Sequence, residues 1–224
     1  MRESYRPAIE SVVFDIGGVL LDWNPRHLYR QVFDDEAAME YFLGHICTPS
    51  WHDDHDRGAS TVESCARLAA THPEHADEIW AWARRGEEMV SGVLVENVDL
   101  LAELTEAGVA CFALSNMEAE TFPLRFEQFA FFRLFSGIVI SGMEQMAKPD
   151  REIYELLLDR FGLQSESTLY IDDNAGNLEP ASALGMSTVH YRSPESLRRS
   201  LVDAGLPLQL PAGRNPDGGG HLPG

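Results

Sequence analysis

Five short, mostly apolar runs, each followed by a helical pattern, leave this chain very few architectures. They are residues 11–16 (SVVFDI), 109–116 (VACFALSN), 137–141 (GIVIS), 168–173 (TLYIDD) and 187–191 (STVHY). Runs that are apolar throughout, instead of alternating, suit strands covered on both faces. Between them, 97–107 starts at an asparagine cap and stops before Gly108. Residues 150–161 set Ile153, Leu156, Leu157 and Phe161 on one face ahead of Gly162, and 177–184 admits Pro180 in its first turn before Gly185. Strand and helix alternating at this spacing predict an α/β fold built on a doubly wound parallel sheet.

The interval 22–96 breaks the rhythm. It contains no convincing strand, only helical periodicity such as Ile79, Trp82, Ala83, Gly86 and Val90. A connection that long must carry its own structure. The expected organisation is a core domain from 1–21 and 97–206, with a helical cap domain, 22–96, inserted after the first strand. The tail 207–224 has four prolines and five glycines, a composition expected to stay disordered.

Charge narrows the partners. The chain has 17 basic and 36 acidic residues, a net charge of −19, which argues against nucleic acid and anionic membranes. An anionic small-molecule substrate needs a local group of backbone N–H donors, a lysine or a metal. Screening over about 8 Å permits such a local reversal of field. Cys47, Cys65 and Cys111 form no CxxC motif, and their odd number with no signal-peptide pattern points to reduced thiols in the cytoplasm. No apolar run approaches a membrane span. A monomer or homodimer is expected.

In a doubly wound sheet, chemistry collects at the carboxyl ends of the strands. Those ends carry Asp15, Ser115-Asn116 and Asp172-Asp173, and Lys148 precedes a helix start after the third strand. Singly, each reads as something ordinary: a turn cap, a turn, a surface lysine, a solvated strand end. Jointly they describe a phosphate site. A carboxylate nucleophile splits ester hydrolysis into two steps, and a hard cation held by carboxylates offsets an anion attacking an anion. Asp15 and Asp173 fit as Mg²⁺ ligands, with the Gly17 carbonyl a possible third. Ser115 and Lys148 suit phosphoryl oxygens, and the amides of Ile16, Gly17 and Gly18 suit a phosphate cradle.

These stretches, "VVFDIGGVL", "ALSN", "AKPDREIYELLLDRFGL" and "YIDDNAGNLEPASALGM", resemble the four motifs of the haloacid dehalogenase superfamily, over about residues 11–206. The insert matches the position of its type 1 cap. Among members the chain is most similar to bacterial phosphatases related to α-glucose-1-phosphate phosphatase, and to the phosphatase domain of soluble epoxide hydrolases. The resemblance implies Asp15 as nucleophile, Ser115, Asn116 and Lys148 at phosphate, and Mg²⁺ on Asp15 and Asp173, with Asp172 assisting it through water or from behind the direct ligands. Gly17 departs from the pattern, because most phosphatases of the superfamily carry a general acid–base aspartate there. The namesake dehalogenases, which use no metal, also lack that aspartate. The paired Asp172-Asp173 favours a Mg²⁺-dependent phosphatase over a metal-independent 2-haloacid dehalogenase or a non-catalytic phosphate-binding protein. The insert also holds "PSWHDDHDRGAS", in which residues 52–56 could form an exposed acidic loop or helix start, face the substrate, or bind a second metal. His52 and His55 are the candidates there to protonate a leaving group.

Overall fold

The computed structural model describes residues 7–210. Its main sheet has five parallel strands in the order β5-β4-β1-β6-β7. These are β1 (Ser11–Phe14), β4 (Ala110–Ser115), β5 (Gly137–Ile140), β6 (Thr168–Asp172) and β7 (Ser187–His190). Period-two alternation accounts for central runs that are apolar throughout. Val12 and Phe14 of β1 enter one core cluster with Leu100, Leu104, Leu197 and Leu201. Val13 enters another with Ile153, Tyr154, Leu157 and Ala181. Helices Val95–Glu106 and Pro194–Asp203 thus cover one face, and Arg151–Phe161 and Ala175–Ala183 the other. The sheet is doubly wound, as the sequence predicts.

Between β1 and β4 the chain forms helices with a separate buried cluster, which includes Leu28, Tyr29, Met39, Phe42, Ile79 and Trp82. The interval is not purely helical. β2 (Leu21–Trp23) and β3 (Val90–Val93) pair antiparallel where the chain leaves and returns. With three and four residues they are too short to show a period in sequence, and Gly92 weakens the second. Val90, read as part of a helical face, belongs to β3.

Two helix starts also differ from expectation. Asn97 does not cap a helix; it lies buried inside Val95–Glu106, and its Nδ2 donates to the Val19 carbonyl at 2.6 Å. It therefore ties this helix to the loop after β1. Helix Ala175–Ala183 begins earlier than 177 because Asn174 caps it, accepting from the Gly176 amide at 2.9 Å. Pro180 consequently sits inside the helix. Of the predicted tail, 207–210 is described and 211–224 lies outside the described residues. No helix among the described residues is long and apolar enough to cross a membrane.

Candidate active site

β1 ends one residue before Asp15, whose amide still donates to the Ile171 carbonyl at 2.9 Å. Asp15 is buried, and its Oδ1 accepts from the Ile16 amide at 2.7 Å and from Lys148 Nζ at 2.9 Å. The same ammonium donates to Asp172 Oδ2 at 2.8 Å. Lys148 is itself 4% exposed. Burial alone would lower its pKa, but Asp15 and Asp172 outweigh that and hold it above the usual lysine range.

Asp172 receives more. The Tyr170 hydroxyl donates to Oδ2, the Asn174 amide to Oδ1 at 2.8 Å, and Asn177 Nδ2 lies 3.1 Å from both oxygens. A carboxylate has about four lone-pair sites, and these donors together with Lys148 fill them. Asp172 thus anchors Lys148, while one of its oxygens also falls in the carboxylate cluster with Asp15 and Asp173. Tyr170, Asn174 and Asn177 carry no signal of this role in the sequence: Tyr170 reads as core, and the asparagines as turn and helix start.

Oxygens of Asp15, Asp172 and Asp173 all lie within 4.8 Å of one another. Burial pushes the Asp15 carboxyl up; Lys148 pulls it back, while Asp172 and Asp173 add to the rise. Burial and then Asp172 raise Asp173 as well. One lysine among three carboxylates leaves negative charge unbalanced, and a divalent cation would relieve it. The all-oxygen donor set is that of a hard cation.

The remaining predicted residues are placed close by, with different freedom. Ser115 ends β4, buried, and among the described residues its hydroxyl has only a 3.4 Å contact to the Asn116 carbonyl. Asn116 clamps the main chain of Lys148 in both directions: Nδ2 donates to the Lys148 carbonyl at 3.0 Å and Oδ1 accepts from its amide at 2.9 Å. The expected amide cradle is narrower than the sequence suggests. Ile16 N–H is taken by Asp15, and Gly18 N–H donates to the Leu21 carbonyl at 2.8 Å as the chain folds back. The Gly17 amide has no partner among the described residues.

The two glycines differ sharply. Gly18 has φ +73°, and a Cβ built there would collide with the Asp173 carboxylate. At Gly17 the nearest atom to such a Cβ is Trp23 Cβ at 4.0 Å. Gly18→Ala is therefore expected to cost about 1–3 kcal/mol of folding stability and to displace Asp173. Gly17→Ala should shift stability by less than ~0.5 kcal/mol. Urea denaturation of the two variants checks this, and equal midpoints would contradict it.

A cleft of about 210 Å³ opens beside Lys148, lined also by Asn116, Asn174, Asp53 and Arg57. Asp53 and Arg57 come from the helical segment, where "PSWHDDHD" forms helix Pro49–Asp56, capped by Thr48 accepting from the Trp51 amide at 3.1 Å. The stretch is thus no exposed loop: His55 and Asp56 are buried. Arg57 forks the carboxylate of Asp150 and fastens this helix to the loop after Lys148. The His52 ring stacks on Trp23, centroids 5.2 Å apart. Burial holds both His52 and His55 down at about 4, so neither carries a charge to donate at neutral pH. Burial, then Glu118 and Asp53, push Asp56 up to about 7.

A model of the haloacid dehalogenase-like hydrolases matches residues 9–185. The chain belongs to that family. This hydrolase is 31% identical over 185 residues to a sesquiterpene phosphatase from Aspergillus oryzae, covering 81% of this chain and 89% of that protein. It is 26% identical over 210 residues to the phosphorylated carbohydrates phosphatase of Thermotoga maritima, covering 88% and 92%. A family enzyme from Bacteroides thetaiotaomicron, solved with magnesium and inorganic phosphate, superposes with TM-score 0.62 at 20% identity, covering 83% and 95%. The L-2-haloacid dehalogenase of Xanthobacter autotrophicus does so with TM-score 0.60 at 21% identity, covering 88% and 84%. Likeness at these identities shows the fold alone.

Proposed function

We propose that this hydrolase cleaves a small phosphate monoester, with Mg²⁺, through an aspartyl-phosphate on Asp15. The observation that carries the reading is the buried Asp15–Lys148–Asp172 chain of ion pairs with Asp173 beside it. Ile16 and Lys148 engage Asp15 Oδ1 and leave Oδ2 for in-line attack on phosphorus. Asp15 and Asp173, with the Gly17 carbonyl, would hold the ion, which supplies positive charge against the phosphoryl oxygens. Lys148 and the Ser115 hydroxyl bind the remaining oxygens, and the Gly17 amide is the free backbone donor. Asn116 acts through Lys148 by fixing its main chain. The two full-length relatives named above are phosphatases of organic phosphates, which supports an ester substrate.

Dehalogenase chemistry is the second reading, favoured by Gly17. It leaves Asp173 without a purpose, because a metal-free site would keep that carboxylate beside Asp15 at a repulsive cost.

The glycine sets the test. Without a side chain at 17 the departing oxygen loses general-acid help ordinarily amounting to ~10²–10⁴-fold. Hydrolysis should therefore fall steeply from p-nitrophenyl to simple alkyl phosphates. A Cβ at residue 17 meets no atom closer than Trp23 Cβ at 4.0 Å, so Gly17→Asp should raise kcat/KM on alkyl esters by about tenfold or more and hardly alter p-nitrophenyl phosphate. A flat series in the unmodified protein, unchanged in the variant, would remove this account of protonation.

A further inference from the structure

A second cluster shares no residue with the strand-end carboxylates. Ligand atoms of His52, His55 and Glu118 all fall within 4.8 Å of one another. His52 and His55 stand one turn apart on helix Pro49–Asp56, on the same face. Glu118 comes from the loop that leaves β4.

His55 makes the cluster more than a coincidence of polar residues. Its side chain is 0% exposed, and neither ring nitrogen has a hydrogen-bond partner. Nδ1 points toward Glu118 Oε1 but stops at 3.6 Å, beyond hydrogen-bond reach. Buried imidazoles are nearly always satisfied, so two bare nitrogens call for a partner. A small shift could join Nδ1 to Glu118, yet it would leave Nε2 bare and His52 unengaged. Asp56 adds to the pattern, with Oδ1 also buried and unpartnered and Oδ2 3.7 Å from His52 Nδ1. A carboxylate beside a coordinating histidine is the usual arrangement that orients its ring.

We propose that His52, His55 and Glu118 bind a transition-metal ion of the Zn²⁺ type. Two imidazoles and one carboxylate match that ion's preference, whereas Mg²⁺ takes oxygen ligands and fits the strand-end cluster instead. His52 and Glu118 are partly exposed, which gives an ion a route in and leaves room for a water as a further ligand. Two ligands belong to the helical segment and one to the loop after β4. A bound ion therefore fastens that segment to the sheet end, next to the Arg57–Asp150 pair that does so without metal.

The test uses the full-length protein, stripped with chelator and then held in excess Mg²⁺ to occupy the strand-end carboxylates. Zn²⁺ alone is titrated and followed by calorimetry, and Co²⁺ by visible absorption. The expected result is one tight Zn²⁺ per chain, an intense four-coordinate Co²⁺ band, and a raised Tm with Zn²⁺. His52→Asn and Glu118→Gln should each weaken Zn²⁺ binding about tenfold or more. Asp173→Asn should leave it unchanged. His55→Gln should abolish the Co²⁺ band; if that buried change prevents folding, the two partly exposed positions still decide. No Zn²⁺ retained above Mg²⁺, retention unaffected by His52→Asn and Glu118→Gln, or retention lost in Asp173→Asn would each overturn the proposal.

Discussion

Asp15→Asn is expected to lower turnover by at least about 10³-fold while the protein stays folded. The amide keeps the shape of the carboxylate and an oxygen that can accept from the Ile16 amide, but it cannot attack phosphorus. Lys148 keeps its 2.8 Å partner Asp172, so no buried ammonium is stranded. One negative charge disappears from a group of three carboxylates within 4.8 Å of one another. In EDTA the variant should therefore be at least as stable as the parent, the usual trade between catalytic charge and stability. Steady-state phosphate release and thermal unfolding together check this. Activity within tenfold of the parent would remove Asp15 as the nucleophile.

Asp172→Asn should have the opposite profile, with its main effect on the fold. The side chain is fully buried and accepts from Lys148, Tyr170, Asn174 and Asn177. The amide would turn an N–H₂ donor toward one group of these donors and leave the Lys148 ammonium with only Asp15. Breaking a buried pair by removing one partner costs about 3–5 kcal/mol. A shift of that size in the urea unfolding free energy is expected, with activity falling as Lys148 loses its position. A change below ~1 kcal/mol would mean that Asp172 is not the anchor described.

The sheet was legible in the sequence because strands covered on both faces must be apolar at odd and even positions alike. Asp15, Lys148 and Asp173 were legible too, since each lies at a strand end or helix start whose place in the crevice follows from topology. Four things were not legible. The β2–β3 pair is too short to imprint a period. Asn97 reads as a cap on local grounds, but a tertiary contact with the Val19 carbonyl takes its side chain into the core. The histidine-rich stretch reads as polar surface by composition, yet helix Pro49–Asp56 turns His55 inward against Trp51, ring centroids 4.4 Å apart. Composition cannot show which face of a short helix is buried when both faces are polar. The division of labour between Asp172 and Asp173 was likewise hidden. Only the donors around Asp172 reveal which of the adjacent aspartates holds Lys148.

The central claim is a cation-dependent attack by Asp15 on phosphorus. The most direct measurement incubates the chelator-stripped protein with p-nitrophenyl phosphate and, separately, with 2-chloropropionate, each in Mg²⁺ and in EDTA. The account predicts phosphate release in Mg²⁺ that falls to background in EDTA, and no chloride release in either. Chloride release in EDTA, with no phosphate release in Mg²⁺, would contradict it.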